Sequence, residues 1–451
     1  MEKIETRNTS YYKRLLILAG PIIVQQLISV GLNLVDNIMV GRLGALELAA
    51  VGSANQVFSI YSMILFGLFS GAAVPLAQYY GARDFKSIKK ILGMDIVIGL
   101  SLALFTFLIV QLFAPQIIGL FADDEQVIGY GVQYIRIVAV TYLFVGVSFA
   151  ISFNSRSVQI LKVPTIVNAC SILTNTILNY ALIYGNFGLP ALGVRGAAIA
   201  TLIARFIELT ALVTYLAVDK KHPFHGHLKE FTGFTGALLK KVMRTAMPVV
   251  LSEGGWSLGV SLVFAAYGKI SAEALAVMQV SNVICSLCQC ASFAIGNASA
   301  ALTGETLGQR EPELAYENTK KYMKIQWLLN GIMTVMILLL RRPIAAIYNF
   351  DPETTEMLML SLGVFAFTLI PRMVAYAVQC GILRAGGDTL FCMVVELTCN
   401  LGIEVILAYV SVLVFQFPLH LCIAVASIGN LIKAIVEYRR YVSKKWINIV
   451  I

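Results

Sequence analysis

At 451 residues, with 58% of them hydrophobic, 13% charged and a mean hydropathy of +0.79, the chain is too apolar for a water-soluble protein and reads as an all-α membrane protein. Its 34 Lys and Arg exceed its 25 Asp and Glu, a net charge of +9. The placement of those charges accounts for the excess without any nucleic-acid partner.

Apolar runs of the roughly 20 residues that cross a bilayer occur near 15–38, 48–76, 91–114, 131–153, 165–185, 196–218, 245–267, 275–302, 325–340, 357–380, 391–414 and 419–436. They predict twelve transmembrane helices in two six-helix lobes. The N-lobe covers 1–218, a cytoplasmic linker 219–244, and the C-lobe 245–451 with a basic tail. The first run outlasts the roughly 7–15 residue core of a secretory signal, so it reads as a retained span.

In chain order, the first span carries Gln26 and Asp36. Asp36 lies roughly 33 Å of helix past the start of that span, in its outer half. It is either an acid withdrawn from bulk water, whose protonation follows its surroundings, or a solvated helix-end residue close to Arg42. The fifth span presents Asn168, Asn175 and Asn179 on one face. Such a stripe either hydrogen-bonds neighbouring helices or helps hold an ion. In the sixth span Glu208 has Arg205 three residues before it as a neutralising partner.

The connection from Asp219 to Arg244 contains His222, His225 and His227. With only Glu230 nearby it reads as a solvated loop rather than a metal site. Glu253 follows Pro248 in the seventh span among Gly254, Gly255 and Ser257, residues that loosen a helix and free backbone groups for an ion site. Cys285, Cys288 and Cys290 read as small packing residues. Arg372 in the tenth span, with Glu396 and Glu404 in the eleventh, are candidate partners of Glu253. Carboxylates inside membrane helices are expensive, and each is by default a candidate for ion or substrate handling. No G-x-x-x-x-G-K-[ST] occurs, so transport would draw on an ion gradient or a separate subunit, and no cofactor is expected.

The first half recurs in the second at a nearly constant offset of half the chain: Pro21 as Pro248, Gly41 as Gly268, Asn55 as Asn282, and Gly81 with Arg83 as Gly308 with Arg310. A period that long means a duplicated helix bundle, as in transporters built from two similar halves. The copies differ chemically, because Gln26 is matched by Glu253 and Asp36 by Val263. Gly81 and Gly308 read as left-handed helix ends. Arg156 matches Arg384, and the acidic stretches at 121–125 and 349–353 match each other. With both termini cytoplasmic, nearly all Lys and Arg fall on the inside, leaving only Arg42, Arg195, Lys269, Arg341 and Arg342 outside. The cell membrane is the expected location, and the chain is taken to act as a monomer.

Leu18-Ala19-Gly20-Pro21, Val35-Asp36-Asn37 through Gly41-Arg42-Leu43-Gly44, and Ala49-Ala50-Val51-Gly52 resemble the first helix and following loop of multidrug and toxic compound extrusion transporters. Tyr184-Gly185 through Gly196-Ala197-Ala198, and Leu383-Arg384-Ala385-Gly386-Gly387-Asp388-Thr389, extend the resemblance almost end to end. The resemblance implies export of cationic or amphipathic organic compounds in exchange for protons or sodium ions. By it, Asp36 is the N-lobe coupling residue with Asn175 and Asn179 around it, and Glu253 the C-lobe carboxylate. Some members have Asp where this chain has Asn179. The sodium-coupled branch has an Asp in the tenth span where this chain reads Arg372-Met373-Val374-Ala375. Hard cations need several oxygen ligands, so this count favours a proton over sodium.

Two other readings remain open at this point. A lipid-linked oligosaccharide flippase of similar two-lobe build would need several cavity cations, and only Arg372 and Arg205 qualify. A membrane-embedded enzyme would need a catalytic pairing, and His420, the lone intramembrane His, has no partner in view.

Overall fold

A computed structural model of the chain describes residues 2–121, 124–348 and 350–451. Ala122, Asp123 and Asn349, part of the paired acidic stretches, lie outside the described residues. The helices are α1 (Glu2–Gly41), α2 (Ala45–Gly81), α3 (Phe85–Gly119), α4 (Glu125–Ser157), α5 (Lys162–Tyr184), α6 (Val194–Val218), α7 (Leu228–Thr232), α8 (Gly236–Gly268), α9 (Ala272–Gly308), α10 (Pro312–Ile347) and α11 (Pro352–Val378). A π-helical turn (Gln379–Leu383) follows, then α12 (Thr389–Glu396), a π-helical stretch (Leu397–Glu404), α13 (Val405–Leu413), α14 (Leu419–Ala426) and α15 (Ile428–Val442). Among the described residues there are no strands, and twelve spans are long and apolar enough to cross a membrane. The eleventh is α12 to α13 and the twelfth α14 to α15. This is a multi-pass membrane protein with twelve transmembrane helices in two homologous sets of six.

The acidic stretches have a local cause. Asp124 accepts from the backbone nitrogens of Gln126 and Val127 at 2.7 and 3.3 Å to cap α4, and Asp351 accepts from Thr354 N at 3.0 Å to cap α11. Each satisfies donors that a helix start leaves orphaned. Asp84 does the same for α3 through Ser87, which holds its carboxyl below the usual range.

Packing divides the chain into two units. One comprises residues 21–76 and 83–243. Its core stacks Tyr61 on Tyr142 at 5.0 Å, with the Tyr61 hydroxyl donating to Tyr142 O at 2.8 Å. Gly99 of α3 and Gly146 of α4 each press on the other's backbone, so a Cβ at either would force the helices apart. The histidine-bearing connection is docked here, contrary to the expected solvated loop. α7 lies on α3, where a Cβ at Gly93 would meet Phe231 O, and Lys89 bonds Glu230 at 2.6 Å. His222 and Phe224 are buried. The reason is that Phe224 and Phe231 supply apolar anchors in a segment whose average composition is polar.

The other unit comprises residues 1–20, 77–82 and 244–451. Arg14 bonds Glu305 at 2.6 Å, and Gln78 accepts from Val450 N at 2.7 Å while donating to Asn448 O at 3.0 Å. The ends of α2 and α9 cross through a reciprocal glycine pair: a Cβ at Gly81 would overlap Glu305 O, and one at Gly308 would overlap Gln78 O. Close approach is therefore what these glycines provide. The left-handed residues are the arginines two positions on, Arg83 at φ 58° and Arg310 at φ 61°.

Candidate functional site

Asp36, near the end of α1, is met from α5. Asn179 Nδ2 donates to its Oδ1 at 3.0 Å and Thr176 Oγ1 to the same atom at 3.4 Å. With its amide nitrogen turned toward Asp36, Asn175 donates to Oδ2 at 2.9 Å and accepts from Thr201 Oγ1 of α6 at 3.2 Å. The spacing of four residues puts both asparagines on the helix face toward α1. Arg42, the alternative neighbour, is not part of this set. These groups line a cavity of about 420 Å³ with Asn37, Val40, Val51, Asn55 and Tyr134. Asn179 Oδ1, although buried, has no hydrogen-bond partner.

The third asparagine of the stripe serves a second cluster. Asn168 Nδ2 donates to Glu208 Oε1 at 3.3 Å and its Oδ1 accepts from Gln25 at 3.1 Å. Gln25, not Gln26, reaches this face, because one residue of helix turns the side chain by about 100°. Glu208 also accepts from Ser171 at 3.3 Å and pairs with Arg205 at 2.7 Å, the partner expected from the sequence. Arg205 is thus committed, and Asp36 is held by uncharged donors.

The second half contains the same cavity in altered form. Asp36, Asn37, Val40, Val51 and Asn55 line the first cavity; their counterparts in the register that pairs Pro21 with Pro248, namely Val263, Phe264, Tyr267, Met278 and Asn282, line the second. Phe264, Tyr267 and Met278 fill the space that Asn37, Val40 and Val51 leave open. Only about 60 Å³ remains. The acid has changed helices. Val263 replaces Asp36, while Glu404, the counterpart of Asn175, lines the second cavity together with Arg372 and Asn430.

Glu253 lies elsewhere in this unit, and its partner differs from those the sequence suggested. Its Oε1 bonds Arg384 Nη1 at 2.6 Å, and Arg384 also donates to Ser252 Oγ at 3.3 Å. Arg372, Glu396 and Glu404 are not its partners. Arg384 directly follows the π-helical turn at Gln379–Leu383 and is buried. Nor is α8 loosened at Gly254 and Gly255: it runs unbroken from Gly236 to Gly268. Gly255 and Gly259 instead admit Leu397 and Asn400 of the eleventh span, which a Cβ at either would overlap.

Sequence reading missed three intramembrane charges. Asp95 is buried in α3 and accepts from Asn154 Nδ2 of α4 at 2.7 Å. Lys433 and Glu437 are buried in α15, with Lys433 bonding Glu396 at 2.6 Å. A search for any acid or base inside an apolar run would have flagged Asp95 and Lys433. Glu437 fell one residue beyond where the twelfth run was ended.

A pattern describing the MatE family matches residues 21–181 and 249–410. A probable multidrug resistance protein NorM from Thermotoga maritima is 26% identical over 415 residues, 90% of this chain and 87% of that protein. A probable multidrug resistance protein YoeA from Bacillus subtilis is 25% identical over 85% of this chain and 82% of its own length. The fold is similar to a MATE crystallised in a bent conformation, with a TM-score of 0.88 at 20% identity over 96% of each chain. A MOP superfamily transporter from Pyrococcus furiosus gives a TM-score of 0.87 at 19% identity over 96% of this chain and 97% of that one.

Proposed function

The chain belongs to the MatE family of transporters, and on that premise we propose that it is an antiporter exporting cationic or amphipathic organic compounds in exchange for protons, with Asp36 as the coupling group. The observation that carries this reading is an acid on a cavity wall whose hydrogen-bond partners are all neutral, with Arg205 on the same wall bonded to Glu208. Ionised, Asp36 accepts from Asn175, Asn179 and Thr176. Protonated, it becomes a donor, and the adjacent orphan acceptor Asn179 Oδ1 gains a partner. Proton occupancy thereby changes the hydrogen bonding between α1 and α5, and with it the shape of the cavity. A hard cation such as sodium needs several oxygens, and this site supplies one carboxylate. Export is then alternation of the cavity between the two sides of the cell membrane. The Lys and Arg bias supports cytoplasmic termini. The flippase reading needs several cavity cations, and among the described residues that line the two cavities there are Arg372 and Arg205, the latter bonded to Glu208.

Everted vesicles loaded with a fluorescent organic cation, given a pH gradient or a sodium gradient in turn, test the proposal. Transport on the pH gradient without sodium is expected. Asp36→Asn should abolish gradient-driven transport and leave substrate binding measurable. Transport on sodium alone, or full activity in Asp36→Asn, would overturn it.

A further inference from the structure

The Glu208 cluster of the first half has a counterpart in the second. The repeat pairs Asn168 with Glu396 and Glu208 with Glu437. The register advances by a single position across the π-helical stretch Leu397–Glu404; beyond it, the cavity residues Ala197 and Thr201 match Ala426 and Asn430 in the same register as Glu208 and Glu437. In the first half one acid, Glu208, meets one cation, Arg205, and one amide, Asn168. In the second half the amide position is a carboxylate. Lys433 bonds Glu396 at 2.6 Å, and both oxygens of Glu437, with Glu396 Oε1, are buried without hydrogen-bond partners. All three side chains are more than nine-tenths buried.

The surrounding charges do not balance the excess. Arg384 is the other cation acting on Glu437, and it is committed to Glu253 at 2.6 Å. Glu404 shares its cavity with one cation, Arg372. Arg440 is bonded to Asp388 at 2.7 Å, and Cys380, Cys392 and Cys399 carry no compensating positive charge. Two carboxylates therefore share one ammonium, and an uncompensated buried carboxylate costs several kcal/mol. A metal cation is disfavoured by the Lys433 ammonium beside it.

We infer that Glu396, Lys433 and Glu437 form a proton-binding site in which the two carboxylates hold one proton. The inference is independent of the role assigned to Asp36, since the charge count arises wholly within the second half.

Infrared difference spectra of the purified full-length chain at neutral pH read protonated carboxyls directly. Glu396→Gln and Glu437→Gln should each remove one protonated-carboxyl band from the wild-type spectrum, because either leaves a single acid for Lys433. Lys433→Met should add one. Band loss in Glu396→Gln is the discriminating result, since it requires Glu437 to ionise when Lys433 is freed. A spectrum unchanged in both glutamine variants overturns the site. So does sodium at constant pH displacing the band in the wild type. Should Glu437→Gln fail to fold, Glu396→Gln, which copies the first half's amide, gives the same decision.

Discussion

The two cavities began as one design. In the first half Asn37, Val40 and Val51 leave about 420 Å³ in front of Asp36, and in the second Phe264, Tyr267 and Met278 reduce the space to about 60 Å³. Their electrostatics diverged as well. Asp36 is hydrogen-bonded by amides and a hydroxyl, whereas Glu253 and Glu396 are ion-paired, with Arg384 and Lys433. Glu253 has a cation of its own, whereas Glu396 and Glu437 share the single Lys433 ammonium. The two halves thus differ in how their buried acids are compensated. The assignment is testable at both ends.

The largest effect is expected where a pair is pinned. Glu253→Gln leaves the buried Arg384 without its countercharge, a loss of about 3–5 kcal/mol, read as a fall in melting temperature in detergent. Glu253→Gln combined with Arg384→Gln should recover most of it. A Glu253→Gln protein as stable as wild type would erase the contrast between the halves.

Converting the first cavity toward the second comes next. Val51→Met with Asn37→Phe should fill part of the space in front of Asp36 and reduce export at least tenfold, a barrier change of about 1.4 kcal/mol. Undiminished export would dissociate cavity volume from transport.

A smaller effect tests the symmetric turns. Arg83 and Arg310 occupy the left-handed region, which costs a non-glycine residue about 1 kcal/mol. Arg83→Gly or Arg310→Gly should raise the melting temperature, whereas Gly81→Ala and Gly308→Ala, which intrude on backbone, should lower it. Equal responses at the two turns would extend the equivalence of the halves to their loops.

The mildest is a pH effect at the connection. Burial pushes the His222 imidazole down to about 4 from an ordinary 6.5. The docked form binds fewer protons than the undocked form between those values. Docking is then fully stable above about pH 6.5 and weakens as pH falls toward 4. Protease sensitivity at Lys220 and Lys221 should rise on acidification, and His222→Gln should flatten the profile.

The spans and the duplication were legible because hydropathy and internal repetition average over many residues. Asp36 with Asn175 and Asn179 was legible because fixed helical spacing places amides on one face. Arg384 was not read as the partner of Glu253, since contact between a span end and a helix far away in sequence is tertiary. Gln25 displaced Gln26 through helix phase alone. Glu437 was lost because Lys433 and Glu437 lower the hydropathy of α15 and so blur the end of the span they occupy.

The π-helical stretch Leu397–Glu404 acts as a vernier on the duplicated sequence. In its first turn Cys399 still pairs with Ser171, in the register that pairs Glu396 with Asn168; after it, everything is advanced by one position, a rotation of about 100°. Glu404 rather than Ile403 is therefore delivered to the place of Asn175. An inserted residue, without substitution at that position, was enough to present a new acid to the cavity. Deleting a single residue from 397–404 would return the aliphatic side chain and turn Glu404 away from Arg372.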